Sequence, residues 1–225
     1  RKPQRKQSMK SSTGSVKPGF ITTNALEWMT KKKKTKLILG SASPFRKKLL
    51  KNAGFVFDVK TADIDEKQVR HENFKELVLR LALAKRDAIL AKNNFDLDTI
   101  LITLDVVGVH NGKLREKPMS KKEVVAWHKE YPKGKTEVFC AIVVHHVGKK
   151  KTLKAVDISS IVWRKIPHHT IVQIAEDPMT YKAAAFSDRS FLHYVKKLEG
   201  SIDTVIGVPV RILENFLEKL GYYDR

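Results

Sequence analysis

Residues 37–52 constrain the fold more than any other stretch. Leu37-Ile38-Leu39-Gly40 is a short apolar run, Ser41-Ala42-Ser43-Pro44 is a turn, and Phe45 to Asn52 carries Leu49 and Leu50 at helical positions. A strand that feeds a helix through a hydroxyl-rich turn is the opening of an α/β unit. The rest of the chain repeats the alternation. Phe55 to Val59 reads as a second strand, and Asn73 to Lys92 as a long helix with Leu77, Leu81, Ala84, Ala88 and Ala91 at helical spacing. Thr99 to Val107, Val138 to His146 and Ala155 to Trp163 read as strands, with a solvated hairpin turn at Gly148 to Lys151. Ser120 with Glu123 offers a capping box for a helix running to Glu130. A helix over 167–175, an irregular lysine-bearing stretch, a strand-like run over 202–206 and a last helix near 210–220, stopped by Gly221, complete the pattern. The expectation is one α/β sheet domain over residues 37–225.

Charge is distributed unevenly along this pattern. The chain of 225 residues carries a formal net charge of +20. Half of that excess sits in residues 1–36, where eleven basic side chains face Glu27 alone. Arg1, Lys2, Arg5, Lys6, Lys10 and Lys17, followed by the run Lys31, Lys32, Lys33 and Lys34, lack apolar periodicity and read as an extended arm that contacts phosphates. Phe20 and Trp28 within it read as anchors to protein or as stacking platforms for bases. The first residue is Arg1, which leaves processing or a preceding segment open. Cys140 alone excludes an internal disulfide and points to a reducing compartment. No apolar run approaches the length of a membrane span, so no membrane partner is expected.

Several residues could carry chemistry. Ser41, Ser43 and Arg46 flank a strand-to-helix turn, where hydroxyls, backbone N–H groups and a guanidinium can converge on an anion or can simply cap the helix. Asp105 lies in a strongly apolar strand, and a carboxylate there must be paired, hydrated or metal-bound. With Glu66 it could hold Mg²⁺, a hard cation that prefers oxygen ligands; a buried pair with Lys85 or Lys117 is the competing reading. Lys85, Lys117 and Lys182 could border one cleft and match a triphosphate. His145-His146 and His168-His169 form no zinc-like pattern.

Leu37 to Leu50 resembles the opening LILASASPRRxELL of the Maf family, nucleotide pyrophosphatases distantly similar to the inosine triphosphate pyrophosphatases. Ala62 to Glu66, Leu81 to Lys85, Asp105, Lys117-Pro118 and Gly207-Val208-Pro209 extend the resemblance from about Lys36 to Leu220. It implies a Maf-like mixed-sheet α/β domain behind a basic N-terminal extension. It implies hydrolysis of a nucleoside triphosphate between the α and β phosphates, often by a homodimer. Ser41, Ser43, Arg46, Lys85, Lys117 and Lys182 would hold the nucleotide, and Glu66 and Asp105 would support Mg²⁺ and water activation.

The chain departs from the family pattern in four segments. Phe45 replaces the first arginine of SASPRR, Leu104 and Val106 flank Asp105 in place of alanine and threonine, and residues 134–138 lack the histidine of GRTHEV. The usual KAGAYGIQG has become Lys182 to Ser190, with Asp188 in a phosphate region. Together with the basic arm, these departures favour a pseudoenzyme: a non-catalytic structural or RNA-binding subunit of a ribonucleoprotein assembly. The expected host is the mitochondrial ribosome, in the mitochondrial matrix, with ribosomal RNA and neighbouring ribosomal proteins as partners. The alternative is an active Mg²⁺-dependent nucleoside triphosphate pyrophosphatase, and a third reading is a protein-binding module.

Overall fold

The computed structural model describes residues 35–182 and 193–223. The arm residues from Arg1 to Lys34, and the segment containing Asp188, lie outside the described residues. The expectation of an α/β fold holds. β1 (Lys36–Leu39) runs through the turn into α1 (Pro44–Asn52), and β2 (Asp58–Val59) pairs parallel with β1. α2 (Phe74–Lys92) precedes β3 (Thr99–His110), which pairs parallel with β1 and forms a hairpin with β4 (Lys113–Arg115). α3 (Lys121–Glu130) leads to β5 (Lys135–His146) and β6 (Lys151–Trp163), both antiparallel additions to the sheet. α4 (His168–Glu176), β7 (Val195–Glu199), α5 (Ile202–Ile206) and α6 (Val210–Lys219) follow. The sheet order is β2-β1-β3-β5-β6-β7, so parallel and antiparallel pairs mix as expected.

Alternation along β3 directs the two faces of the sheet. Ile100, Ile102 and Leu104 pack with Leu37, Leu213 and Leu217, while Val107 and Val109 pack with Val78 and Ala82 of α2. Thr103 belongs to the α2 face too, because its hydroxyl donates to the Ala82 carbonyl at 2.8 Å. Each fully buried aliphatic side chain contributes roughly 1.5–3 kcal/mol, so the two-faced packing of β3 is a principal support of the fold. Asp105 shares the parity of Thr103 and Val107, and the pleat therefore turns it toward α2.

Three local expectations are corrected. Residues 202–206 are helical, because the Ser201 hydroxyl caps the Asp203 N–H at 3.1 Å and Gly207 closes the turn at φ 97°. Only Asp58–Val59 of the second expected strand pairs with the sheet, although Phe55 still anchors in the core. Part of the lysine-bearing stretch is the edge strand β7, whose Lys196 and Lys197 point to solvent.

Candidate functional site

α2 buries Leu77, Val78, Leu81, Ala82 and Ile89. Lys85 falls one turn after Leu81 and one turn before Ile89, so helical spacing places a lysine on the edge of the core-facing stripe. Its side chain is only 12% exposed. A buried ammonium requires a partner, and Asp105, on the facing side of β3, supplies it at 2.5 Å. A second carboxylate arrives from the loop after β2, where Asp65 caps a single 3₁₀ turn through the Lys67 N–H at 3.0 Å and presents Glu66. Glu66 Oε1 lies 2.9 Å from Lys85 Nζ, and Glu66 Oε2 lies 3.6 Å from Lys117 Nζ. Arg70 ties this loop to the segment after β4 through Glu116 at 3.3 Å.

The β1–α1 turn supplies the opposite wall. Ser43 caps α1, and Ser41 accepts from the Ser43 N–H at 3.3 Å. Arg46 is buried rather than reaching into solvent. Its guanidinium donates to the Leu104 carbonyl at 2.9 Å and to Ser41 Oγ at 3.3 Å. Gly207 lies directly against it: a Cβ there would stand 2.9 Å from Arg46 Nε. Arg46 therefore braces the Ser41 turn against β3 and acts on the cleft as a fixed field.

These groups share one cleft of about 840 Å³, bordered by Ser41, Ser43, Arg46, Glu66, Lys85, Asp105 and Lys117. Of the residues expected at the site, Lys182 ends the 3₁₀ turn Pro178–Lys182, and its side chain lies outside the described residues. The aromatic wall was missed at the sequence level. Trp127 and Tyr181 line the cleft together with Met119 and Glu123. Trp127 lies four residues after Glu123 in α3, a helical spacing that puts both on one face and was legible in the sequence.

Electrostatics separates the two carboxylates. Burial raises the Asp105 pKa above the ordinary carboxylate range, against the opposing pull of Lys85 and Arg46. Burial acts the same way on Glu66, but Lys85, Lys117 and Arg46 together outweigh it and hold that carboxyl below its ordinary value. The two neighbouring carboxyls are thus shifted in opposite directions, Asp105 by burial and Glu66 by the cations around it. Among the described residues no group of three or more His, Cys, Asp or Glu side chains could hold a metal ion. Glu66 and Asp105 nevertheless fit Mg²⁺, which uses one or two carboxylates and takes its other ligands from water and substrate phosphates.

Of the three departures from the family pattern that fall on described residues, one reaches this cleft. Val106 lines it, but Phe45 and residues 134–138 are absent from its described wall. Thr136 is instead buried, accepting from Trp163 Nε1 at 2.8 Å. Leu104 is fully buried and offers its backbone carbonyl to Arg46. Residues 183–190, the most altered segment, fall outside the described residues.

Comparison with known proteins sets this geometry in context. The model of the family described as Maf-like protein matches residues 36–220. A 7-methyl-GTP pyrophosphatase from Dictyostelium discoideum is 30% identical over 191 residues, covering 82% of this chain and 97% of that protein. A dTTP/UTP pyrophosphatase from Pelotomaculum thermopropionicum is 28% identical over 188 residues, covering 83% of this chain and 97% of that protein. A solved nucleoside-triphosphatase / dITP/XTP pyrophosphatase from Mycobacterium abscessus is 10% identical, with a TM-score of 0.37 over 83% of this chain and 94% of that one. The expectation of a non-catalytic structural or RNA-binding subunit of a ribonucleoprotein is overturned by the pyrophosphatase relatives, which are matched over nearly their whole length. The basic arm on which that expectation rested lies outside the described residues. With the family match spanning the sheet, the cleft and every bordering residue from Ser41 to Lys117, the chain belongs to the Maf-like protein family.

Proposed function

We propose that this protein hydrolyses a nucleoside triphosphate between its α and β phosphates, releasing a nucleoside monophosphate and pyrophosphate. The observation that carries the reading is the pair of carboxylates, Asp105 raised and Glu66 lowered, meeting two lysines in a cleft large enough for a nucleotide. The relatives named above, which act on nucleoside triphosphates by their descriptions, support it. Lys85 and Lys117 bind triphosphate oxygens, and the Ser41–Ser43 turn offers its hydroxyls beside them. Arg46 positions that turn and adds positive field. The oxygen of the attacking water bonds to the α phosphorus as one oxygen of Asp105 takes a proton from it, and the bond from that phosphorus to the bridging oxygen breaks so that pyrophosphate leaves with the bridging oxygen. Glu66 and the other Asp105 oxygen would hold Mg²⁺, which would supply charge compensation for the triphosphate and orientation of the water. Trp127 and Tyr181 offer the apolar surface for the base.

The test is pyrophosphate release measured with Mg²⁺ across UTP, dTTP, GTP and 7-methyl-GTP. Turnover of at least one substrate, abolished by Asp105→Asn, is expected. Absence of turnover across the panel by folded protein overturns the reading.

A further inference from the structure

Lys85 occupies the place a divalent ion would need. Its Nζ bonds at once to Glu66 Oε1 at 2.9 Å and Asp105 Oδ1 at 2.5 Å, the two carboxylates that fit Mg²⁺. An ion ligated by both at about 2.0–2.1 Å would compete for the same lone pairs and the same space. Ammonium and ion also repel each other, so they cannot sit there together. The other nearby cations are arranged differently. Arg46 is fixed by the Leu104 carbonyl and by its contact with Gly207, while Lys117 is half exposed and reaches only Glu66. Of these three described cations, Lys85 is the one both central and mounted on a flexible stem.

We propose that Lys85 is a resident stand-in for the divalent ion, neutralising Glu66 and Asp105 before nucleotide binds and swinging to the triphosphate as the ion enters. This rests on the pyrophosphatase reading and adds an order of events to it. In the absence of nucleotide, an incoming ion would have to expel an ammonium into a cleft already holding Lys117 and Arg46. A triphosphate changes that balance by giving the expelled ammonium anionic oxygens to bind. Ion and nucleotide therefore bind with positive coupling, and the coupling is reciprocal.

The experiment titrates Mn²⁺ by electron paramagnetic resonance of the free ion, with and without α,β-methylene analogues of UTP and GTP. Wild-type protein is expected to bind Mn²⁺ about tenfold or more tightly with an analogue than without. Lys85→Met is expected to bind Mn²⁺ without nucleotide more tightly than wild type, by about the same factor, and to gain little from the analogue. Lys85→Arg keeps the cation and is expected to stay as weak as wild type when nucleotide is absent. Equal Mn²⁺ affinity in wild type with and without bound analogue overturns the proposal, as does folded Lys85→Met binding Mn²⁺ no more tightly than wild type. If Lys85→Met fails to fold, as a thermal melt would show, the wild-type and Lys85→Arg titrations decide. Failure of the pyrophosphatase reading looks different: neither analogue binds, and the nucleotide-free comparison of wild type with Lys85→Met then decides whether the lysine blocks the ion.

Discussion

Two polar clusters flank β3, and they solve the problem of buried polarity in opposite ways. Glu66, Lys85 and Asp105 carry charge, satisfy one another as ion pairs and open onto a cleft. On the far side, His110, His128, Tyr131 and Trp163 form a dry stack. Tyr131 lies 5.3 Å from the His110 ring and 5.1 Å from His128, and it stacks on Trp163 at 5.6 Å. Thr136 joins this stack through His110 at 2.9 Å, and His128 Nδ1 donates to the Val124 carbonyl at 2.7 Å. Burial keeps both histidines neutral, holding His128 down to about 4 and lowering His110. The contrast teaches that a perturbed titratable group marks a candidate site when it retains charge and access. When it has neither, it marks a core.

The comparison breaks most visibly if Asp105→Asn leaves turnover intact. The expected loss in kcat is about 10²–10⁴-fold, read from pyrophosphate release by folded protein. Tyr131→Ala should do the reverse, costing about 3–5 kcal/mol in urea unfolding while kcat per folded molecule stays near wild type. If Tyr131→Ala lowered kcat at unchanged stability, the dry stack would belong to the site.

Acidification sharpens the contrast further. His128 has its folded pKa depressed from an ordinary 6.5 to about 4, so the unfolded chain binds the extra proton across that window. Its contribution is fully present above pH 6.5 and falls, by about 2–3 kcal/mol, as pH drops toward 4. Asp105 has the opposite sign: its folded pKa is raised from 3.8, the folded chain is the better proton binder, and acidification relieves a cost. Unfolding free energy measured from pH 7 to 4 without divalent ion should therefore fall more steeply in Asp105→Asn than in wild type. A shallower fall would mean that Asp105 is not destabilised by its burial. The smallest effect is expected at Gly207, where a side chain meets both a φ of 97° and the Arg46 guanidinium. Gly207→Ala should cost about 1–2 kcal/mol and raise KM by loosening the Ser41 turn, a split that tests whether Arg46 braces that turn.

Much of this arrangement was readable where the signal is local. The β1–α1 turn, the Ser120 cap on the Glu123 N–H, and the long helix α2 each follow from neighbouring residues. The hairpin after β3 was not anticipated, although Asn111-Gly112, a pair that adopts positive φ at both positions, is a local signal for it. Residues 202–206 misled because Ile202, Thr204, Val205 and Ile206 favour strands, whereas the cap at Ser201 and the stop at Gly207 decided the matter. β7 was hidden by its lysines, which suit an edge that faces water. Lys85 could be suspected from its place on the buried stripe of α2. Its choice of Asp105 and Glu66 together could not, because that depends on how three separate elements dock.

Gly207 has a last consequence, one of timing. The Ser41 turn and Arg46 belong to the first part of the sheet domain to leave the ribosome, and the glycine that Arg46 leans on belongs to one of the last. Until that glycine is in place, a half-made chain holds serines and an arginine without their backing. The cleft is thus assembled late, from parts of very different age, and a nascent fragment has little means to capture nucleotides before the whole sheet has closed around it.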